Sequence, residues 1–299
     1  MRGRAAALGA GTVLNALATG RGSAFALDAE TTATVELDDT GTVDGSVAGA
    51  PDADTALIER CVELTVERYG DGEGGHVRTE SEVPMAAGLK SSSAAANATV
   101  LATLAALDVP VADDPTDPRP DAADAVARET ACRVGVEAAR DAGVTVTGAF
   151  DDASASMLGG VTVTDNRTDE LLAREAVSWD ALVWTPAERA YTADADVDRC
   201  ERVAPMAELV AELALDGRYA TAMTVNGLAF SAALGFPADP AVEAMPHARG
   251  VSLSGTGPSV VAVGDRAGLE RIRDRWDQRE GRTLMTTTRT DGARTVTDG

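Results

Sequence analysis

The chain has 299 residues, enough for one large or two moderate domains around a real core. Its 48 acidic against 26 basic residues leave a formal net charge of −22, which excludes the basic stripe that a nucleic-acid partner needs. No run approaches the roughly 20 apolar residues of a membrane span, so neither a membrane nor a nucleic acid is expected as a partner. Acid excess with almost no lysine reads as a solvated surface suited to a salt-rich cytoplasm, where screening shortens to about 3 Å near 1 M salt. Cys61, Cys132 and Cys200 are odd in number and lack a CxxC pair, a pattern of buried thiols in a reducing compartment. His76 and His247 are the two histidines. They give no local support for a metal cluster or a Ser-His-Asp triad, so each is assigned a structural or surface role.

At the N-terminus Arg2 and Arg4, an apolar run over 5–18 and Ala24-Phe25-Ala26 imitate a signal peptide. Gly9, Gly11, Thr12 and Asn15 interrupt that run and Gly20-Arg21-Gly22 follows it, so it is read as part of a cytoplasmic fold. Residues 32–37 alternate as a strand does. The glycine-rich stretch 38–54 reads as a loop, 55–69 as a helix stopped by Gly70, and 77–83 as a strand. An alanine-rich helix is predicted over 91–107, then an acidic, proline-rich surface connection over 113–120 and a second long helix over 121–142. A strand over 161–164 follows Gly159-Gly160, and the polar hinge at 165–170 sets the expected domain boundary, dividing 1–165 from 166–299. Beyond it come a strand at 181–184, helices at about 197–215 and 217–234, strand–glycine loop–strand over 250–263, a helix over 267–279 and a last strand over 282–289. This irregular alternation predicts an α+β fold in two domains rather than a doubly wound parallel sheet.

Three stretches carry the chemistry. Pro84, Met85, Ala86, Ala87, Gly88, Leu89, Lys90, Ser91, Ser92 and Ser93 form a loop that runs straight into the alanine-rich helix, and Lys90 is the only lysine in the chain. A helix start offers unpaired N–H groups and partial positive charge. A compact ammonium beside it suits a phosphate, while the serines are N-cap candidates. A Walker A loop is excluded, because Leu89 rather than glycine precedes Lys90 and Pro84 stands where the first glycine would be. Loop chemistry alone leaves a phosphate cradle and an ordinary helix cap both open. Asp151 and Asp152 precede the Gly159-Gly160 turn. On a strand end they would point in different directions, one catalytic while the other caps or binds magnesium; a surface Asx turn is the alternative. Ser254, Gly255, Thr256, Gly257 and Pro258 lie between two apolar strands, where glycines permit either close approach to a ligand or a tight turn.

Taken together, Pro-x3-Gly-Leu-x-Ser-Ser-x-Ala at 84–94, an aspartate seven residues before Gly-Gly at 152–160, and the late Ser-Gly-x-Gly-Pro loop resemble the GHMP small-molecule kinase superfamily. The resemblance implies a ribosomal-protein-S5-like N-terminal domain, a ferredoxin-like C-terminal domain, and ATP with Mg2+. Within the superfamily, Ala7-Leu8-Gly9-Ala10-Gly11-Thr12-Val13-Leu14-Asn15-Ala16, then Gly20-Arg21-Gly22-Ser23-Ala24, and Gly148-Ala149-Phe150-Asp151-Asp152 look most like the archaeal shikimate kinase family. That likeness implies ATP-dependent phosphorylation of the 3-hydroxyl of shikimate in aromatic amino-acid biosynthesis, by a monomer or homodimer. Ser92 aligns with the superfamily's magnesium-ligating serine, Glu137 best matches its magnesium-binding glutamate, and Asp152 aligns with the catalytic aspartate. The 84–93 loop and Gly255, Thr256 and Gly257 take the places that hold ATP. Mevalonate kinases pair their aspartate with a lysine of the first motif. This chain has none there, so Lys90 or Arg21 has to supply the positive charge. A carboxylate with vicinal hydroxyls calls for an arginine and polar groups, for which Arg21 and Asn15 are the candidates. The alternatives are a homoserine or mevalonate kinase and a non-catalytic ATP-binding sensor; retention of Asp152, Ser92 and Glu137 speaks against the sensor.

Overall fold

A computed structural model describes residues 1–83, 88–112, 125–187 and 196–296. The glycine-punctuated apolar N-terminus is the first strand, β1 (Arg2–Leu14), paired antiparallel with the long β2 (Arg21–Asp38). After β2 come β3 (Val43–Val47), α1 (Ala56–Tyr69), β4 (Gly74–Ser81), α2 (Ser91–Ala106), α3 (Arg128–Asp141), α4 (Phe150–Leu158), β5 (Val161–Asp165) and β6 (Glu170–Glu175). The second half runs β7 (Asp180–Thr185), α5 (Val197–Glu201), α6 (Ala204–Leu215), α7 (Tyr219–Leu234), α8 (Asp239–Ala244), β8 (Gly250–Leu253), β9 (Val260–Gly264), α9 (Arg266–Trp276), β10 (Arg282–Thr287) and β11 (Arg294–Thr295).

Two sheets result among the described residues. The larger has the order β11-β1-β2-β4-β3, with β5 on the first half of β2 and β6 on β5; within it β3 and β4 are parallel. The smaller has the order β10-β7-β9-β8, all antiparallel. With helices between β7 and β8 and between β9 and β10, that order is the split β-α-β-β-α-β arrangement. The fold is α+β, as expected.

Helix α2 explains the alanines. It is apolar all round and buried along most of its length, from Ala94 to Ala106, as a helix crossing a core must be. Small side chains let the backbones close up: a Cβ on Gly3 of β1 would sit 2.0 Å from the Ala102 carbonyl oxygen. A second core joins the halves, running from Val13, Phe25 and Val163 to Leu182, Phe230 and Val261. Past β10 the chain returns to the large sheet, where Arg289 accepts from Gly160 N–H at 2.7 Å, Ala293 donates to Met157 at 2.9 Å and β11 pairs with β1.

Several elements differ from the sequence expectation. β3 lies inside the stretch read as a loop, held by pairing with β4 rather than by its own pattern. The second long helix begins at Arg128 rather than 121; the acidic connection at 113–120 lies outside the described residues. Residues 165–170 are a hairpin turn between β5 and β6 of one sheet, not a hinge, so the passage between sheets falls at 176–179. The helical pattern at 197–215 is broken into α5 and α6, with Pro205 in the first turn of α6, since proline cannot continue a helix interior.

Gly3→Val should force β1 and α2 apart. The expected cost is about 1–3 kcal/mol, read as a lower denaturant midpoint at high salt; an unchanged midpoint would contradict the close approach.

Candidate active site

The start of α2 departs from the expected cap. Ser91, Ser92 and Ser93 fill the first helical turn, while Lys90 holds the N-cap position in the left-handed region, φ 64, with no side-chain cap bond. The first-turn N–H groups have no intrahelical acceptor, which keeps this end suited to an anion. Gly88, φ +75, brings a second loop against the first: a Cβ there would lie 2.2 Å from the Ser254 carbonyl oxygen, and the Ser254 hydroxyl donates to the Gly88 carbonyl at 2.8 Å. Leu89 is buried beneath them. Pro84, Met85, Ala86 and Ala87 lie outside the described residues.

The Lys90 side chain turns inward and pairs with Asp152 Oδ1 at 2.9 Å; the two side chains are 7% and 17% exposed. Gly255 packs on the ammonium, where a Cβ would stand 2.9 Å from Nζ. Of the two cations considered for the aspartate, Lys90 makes the contact. The aspartates themselves are not on a strand end. They are the second and third residues of α4, where the N-terminal N–H groups favour negative charge. Helical rotation sends Asp152 to Lys90 and Asp151 into the interior, 4% exposed. Burial, then the neighbouring Asp152 charge, push Asp151 up to about 7, against the opposing pull of Lys90 and of the Asn166 hydrogen bond.

Other expected residues fall in different surroundings. Asn15 is buried and its side chain is engaged: Nδ2 donates to the Gly255 carbonyl at 2.8 Å and Oδ1 accepts from Leu17 N–H at 3.0 Å. Its own N–H donates to Asn226 Oδ1 at 2.9 Å, and Gly255 N–H donates to Thr12 Oγ1 at 2.8 Å. Asn15 therefore clasps the end of β1 to the glycine loop, a load the substrate reading did not foresee. Thr256 is half-buried and Gly257 buried in that loop. Arg21 is exposed at the first position of β2, facing Asp165 across the β2–β5 pair. Next to it Gly22 roofs Asp151, whose Oδ2 would be 2.5 Å from a Cβ there. Glu137, half-exposed on α3, is ion-paired with Arg68 of α1.

The three buried cysteines are free thiols. His76 lies away from the site, on the sheet face of β3 and β4, between Asp44 Oδ2 at 2.6 Å and Ser46 Oγ at 2.9 Å. That is the connectivity of a triad, missed in the sequence because β3 was. The Asp44 side chain is 79% exposed, unlike the buried carboxylate of a catalytic triad. Sequence reasoning also passed over Asn226 and Asn166. The first was legible as one amide inside the apolar pattern at 217–234; the second was hidden in a turn taken for a hinge.

A glycine loop packed on a helix start, with an acid–lysine pair beside it, stands on the two-sheet frame of the GHMP class of small-molecule kinases. The model of the GHMP kinases N terminal domain matches residues 56–160. Solved structures share the fold: homoserine kinase from Cytophaga hutchinsonii superposes with a TM-score of 0.75 at 16% identity, covering 99% of this chain and 97% of that one. The Methanococcus jannaschii mevalonate kinase gives 0.71 at 11%, covering 96% and 97%. The chain is 66% identical over 297 residues to the shikimate kinase of Halobacterium salinarum, covering 99% of this chain and 100% of that protein. It is 46% identical over 294 residues to that of Methanococcoides burtonii, covering 97% of each. The chain belongs to the archaeal shikimate kinase family.

Because the folded-state value of Asp151 is raised, the native protein holds a proton there that the unfolded chain releases above the ordinary 3.8. Its contribution to stability is full below that value and is lost as pH rises toward about 7. Asp151→Asn should therefore raise the unfolding temperature more at pH 8 than at pH 5. An equal shift at both would remove the buried, proton-holding carboxyl.

Proposed function

We infer that the chain transfers the γ-phosphoryl group of ATP to the 3-hydroxyl of shikimate, giving shikimate 3-phosphate and ADP on the route to aromatic amino acids. Full-length likeness to named shikimate kinases supports the substrate. The observation that carries the chemistry is the Lys90–Asp152 contact at the mouth of α2. In this reading Asp152 accepts the proton of the attacking hydroxyl, and Lys90 holds that carboxylate in place and offsets charge on the transferring group. The first-turn N–H groups of α2 and the glycine loop seat the phosphates. Phosphoryl transfer asks for positioning and charge neutralisation more than for covalent chemistry.

A magnesium ion bound with the nucleotide would supply charge neutralisation for the phosphates. The exposed first-turn hydroxyl of Ser92 fits such an ion, which takes few protein oxygens and keeps its waters. Glu137 fits less well where it stands, because Arg68 already neutralises it. In this reading Arg21, exposed beside Gly22, binds the substrate carboxylate. Among the described residues no helix is long and apolar enough to cross a membrane. A cytoplasmic enzyme accords with three unpaired buried thiols.

Purified protein with MgATP at high salt should release ADP in the presence of shikimate. Turnover with homoserine or mevalonate but not shikimate would overturn the substrate. Asp152→Asn should lower kcat by about 10²–10⁴ and Lys90→Met by about 10²–10³, with KM for ATP changed far less in the first than kcat. Full activity in Asp152→Asn would overturn the assignment of the base.

A further inference from the structure

Helix α4 carries Asp152 yet lacks a cap of its own. Its N-cap position is Ala149, left-handed at φ 52, with no side-chain acceptor. The acceptor comes from the turn after β5. Asn166, 2% exposed, takes the Asp151 N–H at 3.1 Å and the Thr164 hydroxyl at 2.8 Å on Oδ1. Its Nδ2 donates to Asp151 Oδ1 at 2.7 Å and to Thr147 Oγ1 at 3.3 Å. One amide thus grips Asp151 by main chain and side chain together. An ionised carboxylate in its place could not donate, and an apolar side chain would leave both groups of Asp151 buried without a partner.

We propose that Asn166 is a positioning residue of the phosphoryl-transfer site, a helix cap supplied from elsewhere in the chain that sets Asp152 against Lys90. It rests on the reading of Asp152 as the base. The rest of α4 has its own anchors: Asn97 Nδ2 donates to the Ala153 carbonyl at 2.9 Å, and the Ser154 hydroxyl to Thr162 Oγ1 at 2.9 Å. The first turn has Asn166. On its other side Gly22 of β2 presses on the Asp151 carboxyl, where a Cβ would stand 2.5 Å from Oδ2. Asp151 is held between the two, and the backbone that leaves it carries Asp152. A slip of this turn would move the Asp152 carboxylate off the ammonium while leaving the phosphate loop and α2 as they are.

The test is a double-mutant cycle on the full chain with MgATP and shikimate, after circular dichroism and thermal unfolding have shown each variant folded. Asn166→Ala should lower kcat by about 10–100-fold, the scale of a misplacement near 1 Å, with KM for ATP within about 3-fold. Added to Lys90→Met it should cost little more, because the two act on one contact. A kcat within twofold of the native protein, or a loss that adds in full to that of Lys90→Met, overturns the proposal. If Asn166→Ala does not fold, Thr164→Val removes only the hydroxyl that orients the amide. A lower kcat at unchanged KM for ATP then supports the proposal, and an unchanged kcat overturns it. Asp152→Asn run alongside separates the two readings: inactive Asp152→Asn with active Asn166→Ala rejects only the cap, while active Asp152→Asn rejects the base.

Discussion

The Lys90–Asp152 ion pair sets the geometry around it. Two largely buried charges are tolerable only when they neutralise each other and their remaining hydrogen-bonding positions are met. Here the pair joins the N-cap residue of α2 to the first turn of α4, so two helix starts meet across one side-chain contact. Such a convergence repels cations and welcomes an anion, and the Asp152 carboxylate both benefits from it and limits it. A carboxylate thus sits beside an ammonium and two helix starts, groups that favour negative charge.

Holding the pair requires the rest of the fold. α2 can lie close to β1 because Gly3 and the alanines leave no side chains between backbones. The glycine loop reaches the site from the second sheet, carried by β8 and β9 and clasped through Asn15, Asn226 and Thr12. Each of the two loops contributes a glycine, since Gly255 leaves room for the ammonium and Gly88, before α2, for the Ser254 carbonyl. The C-terminal strap then closes over Gly160 and Met157, so the end of α4 is pinned by residues that follow the second sheet. A site made by both halves of the chain is thus held by contacts that also cross between them.

The acidic surface is compatible with this arrangement because it is spatially separate from it. Arginines such as Arg60, Arg289 and Arg294 are spent on clusters of surface carboxylates, pairs that strong salt weakens. Lys90, at 7% side-chain exposure, lies inside, where screening reaches less. The contrast gives a physical reason for a single lysine: its flexible stem and compact head reach a carboxylate through a gap that a planar guanidinium would not fill in the same way.

The sequence by itself determined the helices with strong apolar patterns, the strand–glycine loop–strand of the second half, the three stretches that converge, and the family, because each rests on local residue order. Lys90 was legible through its solitude, and Asp152 through its distance from Gly159-Gly160. Only the tertiary structure decided what these residues do to one another. β3 exists through pairing with β4, the aspartates lie on a helix rather than a strand end, and the three serines yield the N-cap position to Lys90. Asn15, expected on substrate, is taken up by Gly255, 240 residues away, and Asn166 caps a helix from beyond a turn read as a hinge. Such bonds join groups with no local pattern in common; burial away from water makes each partner obligatory, and folding alone chooses which partner it is.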